Sequence, residues 1–145
     1  RDKLGLFGED IMDKELIMNL LNWMHKNKAD YTNTFCFLMN EEFAFSEKFN
    51  NADFLVWKKE WKTRLKLNNN NEEKYLKLMR SVNPLLIPRN HKVEEALEAA
   101  NKNDFIPMKN LIEVLRKPYN NQSNISGFQY TGSISNKKYQ TFCGT

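Results

Sequence analysis

The sequence contains little glycine, proline or cysteine, and it has no long hydrophobic run. Five Gly and four Pro in 145 residues argue against an all-β fold, which needs many tight turns. Two cysteines, Cys36 and Cys143, are too few for a disulfide scaffold and favour a reducing, cytoplasmic compartment. No apolar run approaches the roughly 18 residues that span a bilayer, and no signal peptide is visible. We therefore expect no membrane partner.

Neither basic nor acidic residues are concentrated in one part of the chain. The 22 basic and 18 acidic residues give a net charge of +4, and the basic residues are spread along the sequence. Nucleic acid is therefore not predicted as a partner. Hydrophobic residues make up 41% of the chain, enough for the core of one domain. Because the chain starts at Arg1 rather than Met, we expect it to be a piece of a longer protein.

Apolar residues recur every three or four positions through most of the chain, which predicts an all-α fold of five to seven helices. Asp10, Asn51 and Asp104 are candidate caps for three of these helices. Each of the last two predicted helices should carry a stripe of apolar residues that faces the core. The predicted helices cover residues 10–26, two short segments within 31–49, a long helix after 51, 72–82, 91–101, and a last helix that follows 104 and stops at Pro118. The two stripes are Val93, Ala96, Leu97 and Ala100, then Met108, Leu111, Ile112 and Leu115.

Residues 83–91 form the most distinctive segment. Two prolines four positions apart, of which Pro84 is the first, exclude a helix and predict an extended connector. Asn90 can cap the helix that follows, and the imidazole of His91 lies at its start. We interpret Asn83, Pro84, Arg89, Asn90 and His91 as a structural motif rather than a catalytic set.

After residue 118 the composition changes to Asn, Gln, Ser, Gly and Thr, which predicts a helical domain over residues 1–118 and an irregular tail over 119–145. Cys143 lies near the terminus beside Gly144, without a pattern that would bury it, and is a candidate redox thiol. Cys36 lies between Phe35 and Phe37 and is predicted to be a small buried residue.

No pattern in the sequence predicts a complete active site. The two histidines, His25 and His91, and the two cysteines lack the CxxC or HxxxH spacing of a zinc site. Neither GxxxxGK[ST] nor GxGxxG is present, so no phosphate-binding loop is expected. We therefore predict no catalytic residue, no cofactor-binding residue and no metal ligand within these 145 residues.

Several short motifs, in the right order over nearly the whole chain, resemble the C-terminal part of the selenoprotein O family of kinase-like protein adenylyltransferases. Cys143 stands third from the end, where animal members carry selenocysteine and many bacterial members cysteine. Two departures are Cys36, where an arginine is expected, and the absence of a proline pair near residues 131–135. The matching residues are Lys3-Leu4-Gly5-Leu6, Asp30-Tyr31-Thr32, Thr34-Phe35, Trp61-Lys62-Thr63-Arg64-Leu65, Met79, Asn83-Pro84, Arg89-Asn90-His91, Glu94-Glu95-Ala96, Pro118-Tyr119 and Phe142-Cys143-Gly144-Thr145.

The resemblance implies that the full-length protein moves AMP from ATP, with Mg²⁺ or Mn²⁺, onto Ser, Thr or Tyr hydroxyls of protein substrates. The family's nucleotide-binding and catalytic residues lie upstream and cannot be mapped onto this chain. This chain would then be the C-terminal helical region that packs on the kinase-like N-terminal part, inactive by itself. Cys143 would be a redox switch, pairing with Cys36 or with a cysteine outside this chain.

A second hypothesis is a freestanding helical interaction module without enzymatic activity. It would use the aromatic-rich surface of residues 31–49 to bind a partner. The helix pattern fits this hypothesis equally well, but it leaves Cys143 unexplained.

Overall fold

The structure is a computed structural model that describes residues 1–42, 46–67, 71–122 and 125–131. Within these ranges the regular structure is helical throughout, which confirms the predicted all-α class. None of the described helices is both long enough and apolar enough to cross a membrane. The elements are two 3-10 helices, Asp2–Leu4 and Ser46–Asn50, and seven α-helices: α1 (Asp13–Asn27), α2 (Tyr31–Met39), α3 (Ala52–Lys66), α4 (Glu72–Val82), α5 (Asn90–Asn101), α6 (Ile106–Leu115) and α7 (Ser126–Gln129).

The chain divides into two compact units, Arg1–Leu85 and Leu86–Thr145. The first unit contains α1 to α4, and the second contains the α5–α6 hairpin and α7. The boundary predicted at residue 118 is a different one, between the helical domain and the irregular tail. It stays a prediction.

Three helices of the first unit start at a side-chain cap. Asp30, Asn51 and Asn71 each accept a hydrogen bond from a backbone N–H in the first turn of α2, α3 and α4. The predicted caps at Asp10, Asn90 and Asp104 are wrong. Asp10 and Asp104 instead accept from the N–H two residues ahead, closing a turn before the helix. Asn90 is already the first residue of α5 and makes no such bond.

Aromatic side chains form the core of the first unit. The ring of Phe37 stacks on that of Phe49 with 4.1 Å between centroids, and both contact Phe54. Phe35 is also buried, and Tyr31 is about half exposed. Most of the described aromatic residues of segment 31–49 are thus part of the core, so among the described residues little of this segment's aromatic surface is exposed.

The second unit corrects two predictions about burial. Of the two predicted stripes, Ala96 and Leu111 are buried, whereas Leu97 and Ile112 are about half exposed. A pair of helices covers only the faces that meet, so an apolar stripe wider than that contact remains open. The short helix α7 lies within the predicted irregular tail, and its Gln129 is buried.

Candidate functional site

The connector begins at Asn83, which is locked to the start of the chain by a reciprocal pair of hydrogen bonds. Its Nδ2 donates to the carbonyl oxygen of Lys3 at 2.9 Å, and its Oδ1 accepts from Lys3 Nζ at 3.2 Å. The Asn83 backbone N–H donates to Met79 O, which closes the last turn of α4. The Asn83 side chain is 1% exposed. A buried amide satisfied on both sides fixes one geometry, because any other would leave polar atoms unpaired.

The ammonium group of Lys3 completes this junction. It donates to Val82 O at 3.0 Å, at the C-terminal end of α4, where a positive charge complements the helix dipole. The same Nζ lies 5.7 Å from the centre of the Tyr31 ring and 5.4 Å from that of Phe35, within cation–π range. Lys3 therefore ties α2, the end of α4 and the first residues together.

Cys36 holds the next part of the connector. Its Sγ lies 3.8 Å from Pro84 O and 3.6 Å from Leu85 O, so the thiol is a weak donor to both carbonyls. The side chain is buried, as predicted from its aromatic neighbours. Asn83 and Pro84 are thus both held by other residues of the first unit.

The N-terminal segment, residues 1–7, packs against α3 and α4. Trp61 Nε1 donates to Leu4 O at 2.9 Å. Gly5 has φ of +70°, and a Cβ placed there would lie 2.9 Å from Tyr75 Cβ and 3.2 Å from Met79 Cγ. Only glycine combines this backbone conformation with so close an approach to a helix.

A buried ion pair joins the start of α1 to α3. Arg64 Nε lies 2.7 Å from Asp13 Oδ1, Arg64 Nη2 lies 3.2 Å from Asp13 Oδ2, and Nη2 also donates to Phe7 O. Burial by itself would raise the pKa of Asp13. The hydrogen bond from Arg64, the Asp10 backbone N–H and the positive charge of Arg64 outweigh it and lower that pKa.

Sequence reasoning missed the ion pair, although a signal was present. Arg64 follows Trp57 by seven residues and Trp61 by three, so it falls on the apolar stripe of α3 rather than beside it. A charged residue in such a position needs a buried partner.

The second half of the motif lies in the second unit, at the start of α5. Arg89 precedes the helix, Asn90 begins it, and the ring of His91 meets that of Tyr130 edge-on, with 6.3 Å between centroids. Among the described residues nothing forms a hydrogen bond with the buried Nε2 of His91. Burial, and then the charges of Lys92 and Arg89, lower the pKa of His91 below its ordinary 6.5. The imidazole is therefore neutral at pH 7.

A partly buried imidazole whose pKa is lowered predicts a pH dependence of stability. Below pH 6.5 the unfolded chain binds a proton at His91 that the folded chain does not, so the free energy of unfolding should fall as the pH drops from 7 to 5. The loss is about 1.4 kcal/mol for each unit by which the two pKa values differ. Urea unfolding of His91→Gln at both pH values should show a smaller difference than the parent. His25→Gln, which removes the exposed imidazole of α1, is the control. An unchanged pH difference in His91→Gln would contradict this assignment.

The arrangement of titratable side chains and cavities among the described residues bears on metal and ligand binding. Among them no three His, Cys, Asp or Glu side chains are grouped closely enough to hold a metal ion. No metal-dependent step is assigned to the described residues. An open groove of about 370 Å³ between α1 and α3 is lined by a mixture of side chains without convergent cations: Asn19, Asn22, Trp23, Lys26, Asp53, Val56, Trp57 and Glu60. Cys143 lies outside the described residues.

Comparison with known proteins adds the decisive observation. The sequence model of the family described as "Protein adenylyltransferase SelO" matches residues 1–116. The chain belongs to the SelO family. Proteins named "Protein nucleotidyltransferase YdiU" from Pelagibacter ubique, Clostridium perfringens and Nitrosococcus oceani are 52%, 43% and 42% identical to it. Each alignment covers 100% of this chain and 30% of the relative. The resemblance inferred from short motifs is thereby confirmed.

The matched family residues can now be placed in the structure. Lys3, Gly5, Trp61, Arg64 and Asn83 all lie in the first unit, where they hold the N-terminal segment against α3 and α4. Their described contacts are with other residues of the first unit, and Arg64 also lines a cavity of about 300 Å³ together with Met12, Glu15, Leu16, Asn19 and Glu60. These five residues of the family motifs thus take part in the packing of the first unit.

Proposed function

We propose that this chain is the C-terminal helical region of a protein adenylyltransferase, which transfers AMP from ATP to Ser, Thr or Tyr hydroxyls of target proteins. The nucleotide-binding and catalytic residues lie in the rest of that protein, and this region is inactive alone. Its role is to support the kinase-like part by packing against it.

The observation that carries this proposal is the combination of family and coverage. The chain matches the SelO family over residues 1–116, yet it spans only 30% of the length of its relatives. Transfer of a phosphoryl-linked group depends on a metal and on cations placed around the phosphates. No three His, Cys, Asp or Glu side chains lie together closely enough to hold a metal ion among the described residues, and about 70% of the relatives' length remains to carry this chemistry.

The packing of family motifs also favours a supporting role. Lys3, Gly5, Arg64 and Asn83 fix the relation of the N-terminal segment to α3 and α4. A rigid helical body of this kind presents a surface of fixed shape to a neighbouring part of the protein.

The test is AMP transfer measured with ATP labelled at the α-phosphate. We expect the full-length protein to label protein substrates in the presence of Mg²⁺ or Mn²⁺. We expect the isolated 145-residue chain to label nothing above background at equal concentration. A mixture of the two proteins serves as the control for inhibitors in the preparation of the shorter chain. Turnover by the 145 residues alone would refute the assignment of catalysis to the rest of the protein.

We further propose that Cys143 is a redox thiol that controls this activity. Oxidation would join Cys143 to a second cysteine: the two thiols lose two protons and two electrons to a peroxide, which is reduced to water. A cysteine outside this chain is the favoured partner, because Cys36 is buried against the connector.

Replacing Cys143 by Ser in the full-length protein tests this second proposal. Treatment with peroxide should change AMP transfer by the parent several-fold, and dithiothreitol should reverse the change. The Cys143→Ser variant should keep its untreated activity after peroxide. Peptide mapping under non-reducing conditions identifies the partner cysteine. An equal response of parent and variant would exclude Cys143 as the switch.

A further inference from the structure

The α5–α6 hairpin carries an open apolar face, and we propose that this face is where the catalytic part of the full-length adenylyltransferase packs. The inference rests on the proposed function and names the surface that does the supporting. The face consists of Leu97, Phe105 and Ile112, whose exposed fractions are 45%, 49% and 47%.

The geometry of the hairpin places these side chains on one side. Ala96 and Leu111 are the buried residues of α5 and α6, and they mark the line along which the two helices meet. Leu97 and Ile112 each follow the buried residue by one position, a rotation of about 100° around the helix. Because the helices run in opposite directions, the same rotation turns both side chains to the same side of the hairpin. Phe105 precedes Ile112 by seven residues and falls on that side as well.

The surroundings of the face have the anatomy of an interface. Lys109 on α6 and Arg116, the residue directly after α6, are exposed and lie about 60° and 40° beyond Ile112 around the helix axis. An apolar centre with charged residues at its margin is typical of protein–protein contacts, and arginine is enriched there. Glu94 on α5 is exposed and stands in the same relation to Leu97, so the margin carries charges of both signs. The complementary surface should therefore be apolar with charged groups of both signs at its edge.

The length of the relatives identifies the occupant. These 145 residues correspond to 30% of each relative, so a much larger part of such a protein is available to cover the hairpin. The family match over residues 1–116 includes both helices, so the hairpin belongs to the part of the sequence that the family shares. Large half-exposed apolar residues grouped on one face mark a contact surface.

Thiol labelling tests this without relying on activity. Ile112→Cys, Leu97→Cys and the control Ile106→Cys are made in a Cys143→Ser background. Ile106 is on the same helix, is 66% exposed and lies about 120° from Ile112 around the helix. Alkylation rates at each position are measured by peptide mass spectrometry in the full-length protein and in the dilute 145-residue chain.

We expect cysteines at 112 and 97 to react at least ten times more slowly in the full-length protein than in the shorter chain, with position 106 equally fast in both. Fast reaction at 112 and 97 in the full-length protein would overturn the proposal. Slow reaction in both proteins would also overturn the proposal, because residues of this chain itself would then cover the face. Protection that grows with concentration of the shorter chain would make the occupant a second copy, and would overturn it too. AMP transfer is assayed separately: protection without transfer refutes the proposed function and leaves the packing inference standing.

Discussion

Replacement of Arg64 by Met is expected to lower the free energy of unfolding by about 3–5 kcal/mol, because it leaves the Asp13 carboxylate buried without its partner. Asp13 and Arg64 are both buried, and two hydrogen bonds join them. Urea unfolding followed by tryptophan fluorescence measures the change. The pKa of Asp13 is lowered in the folded chain, so its contribution should be lost as the pH falls through that pKa and be absent well below 3.8. The Arg64→Met effect should therefore shrink in acid.

Two further variants separate burial from ion pairing. Lys26 and Asp53 form an ion pair between the same helices, α1 and α3, at 3.1 Å, but with side chains 73% and 65% exposed. Lys26→Met should therefore cost less than about 1 kcal/mol. The double variant Asp13→Leu with Arg64→Met should be more stable than Arg64→Met alone, because no charge is then left in the core. Equal costs for Arg64→Met and Lys26→Met would contradict the role given to the buried pair.

Replacement of Gly5 by Ala is expected to cost about 2–5 kcal/mol. About 1–2 kcal/mol comes from the left-handed backbone, in which Gly5 has φ of +70°. A further 1–3 kcal/mol or so comes from overpacking, because the new Cβ would lie 2.9 Å from Tyr75 Cβ. The midpoint of thermal or urea unfolding measures the total.

Gly8 offers a matched control for the backbone contribution. Its φ is +69°, close to that of Gly5, but nothing lies within 4 Å of a Cβ placed there. Gly8→Ala should therefore cost about 1–2 kcal/mol, the backbone cost alone. The difference between the two variants measures the close approach to α4. If Gly8→Ala were as destabilising as Gly5→Ala, the contact with Tyr75 would carry no energy.

The periodicity of apolar residues was sufficient to predict the all-α class and the position of most helices. The predicted segment 72–82 coincides with α4, and the predicted first helix ends one residue before α1 does. Helix starts were predicted less well. A side-chain oxygen before a helix can bond the N–H two or three residues ahead, and only the backbone conformation decides which. Asp10 closes a turn, whereas Asp30 caps α2.

Burial and the roles of the motif residues could not be predicted from the pattern. Periodicity indicates which face of α5 or α6 is apolar, but not what covers it, so Leu97 and Ile112 were wrongly expected inside. Lys3 and Asn83 can be recognised as family residues from the sequence motifs alone. Their mutual hydrogen bonds appear only when the fold brings together positions 80 residues apart.

The wide separation of these partners in the sequence has a consequence for synthesis on the ribosome. The first residues are held by Arg64, Trp61 and Asn83, which lie 51, 57 and 80 residues after the groups they bind. Within this chain, Trp61 and Arg64 can bind these residues once α3 has been translated, but the contact between Lys3 and Asn83 needs the end of α4. Contacts of such long range slow folding, and until they form the first residues of this chain stay accessible to chaperones and proteases.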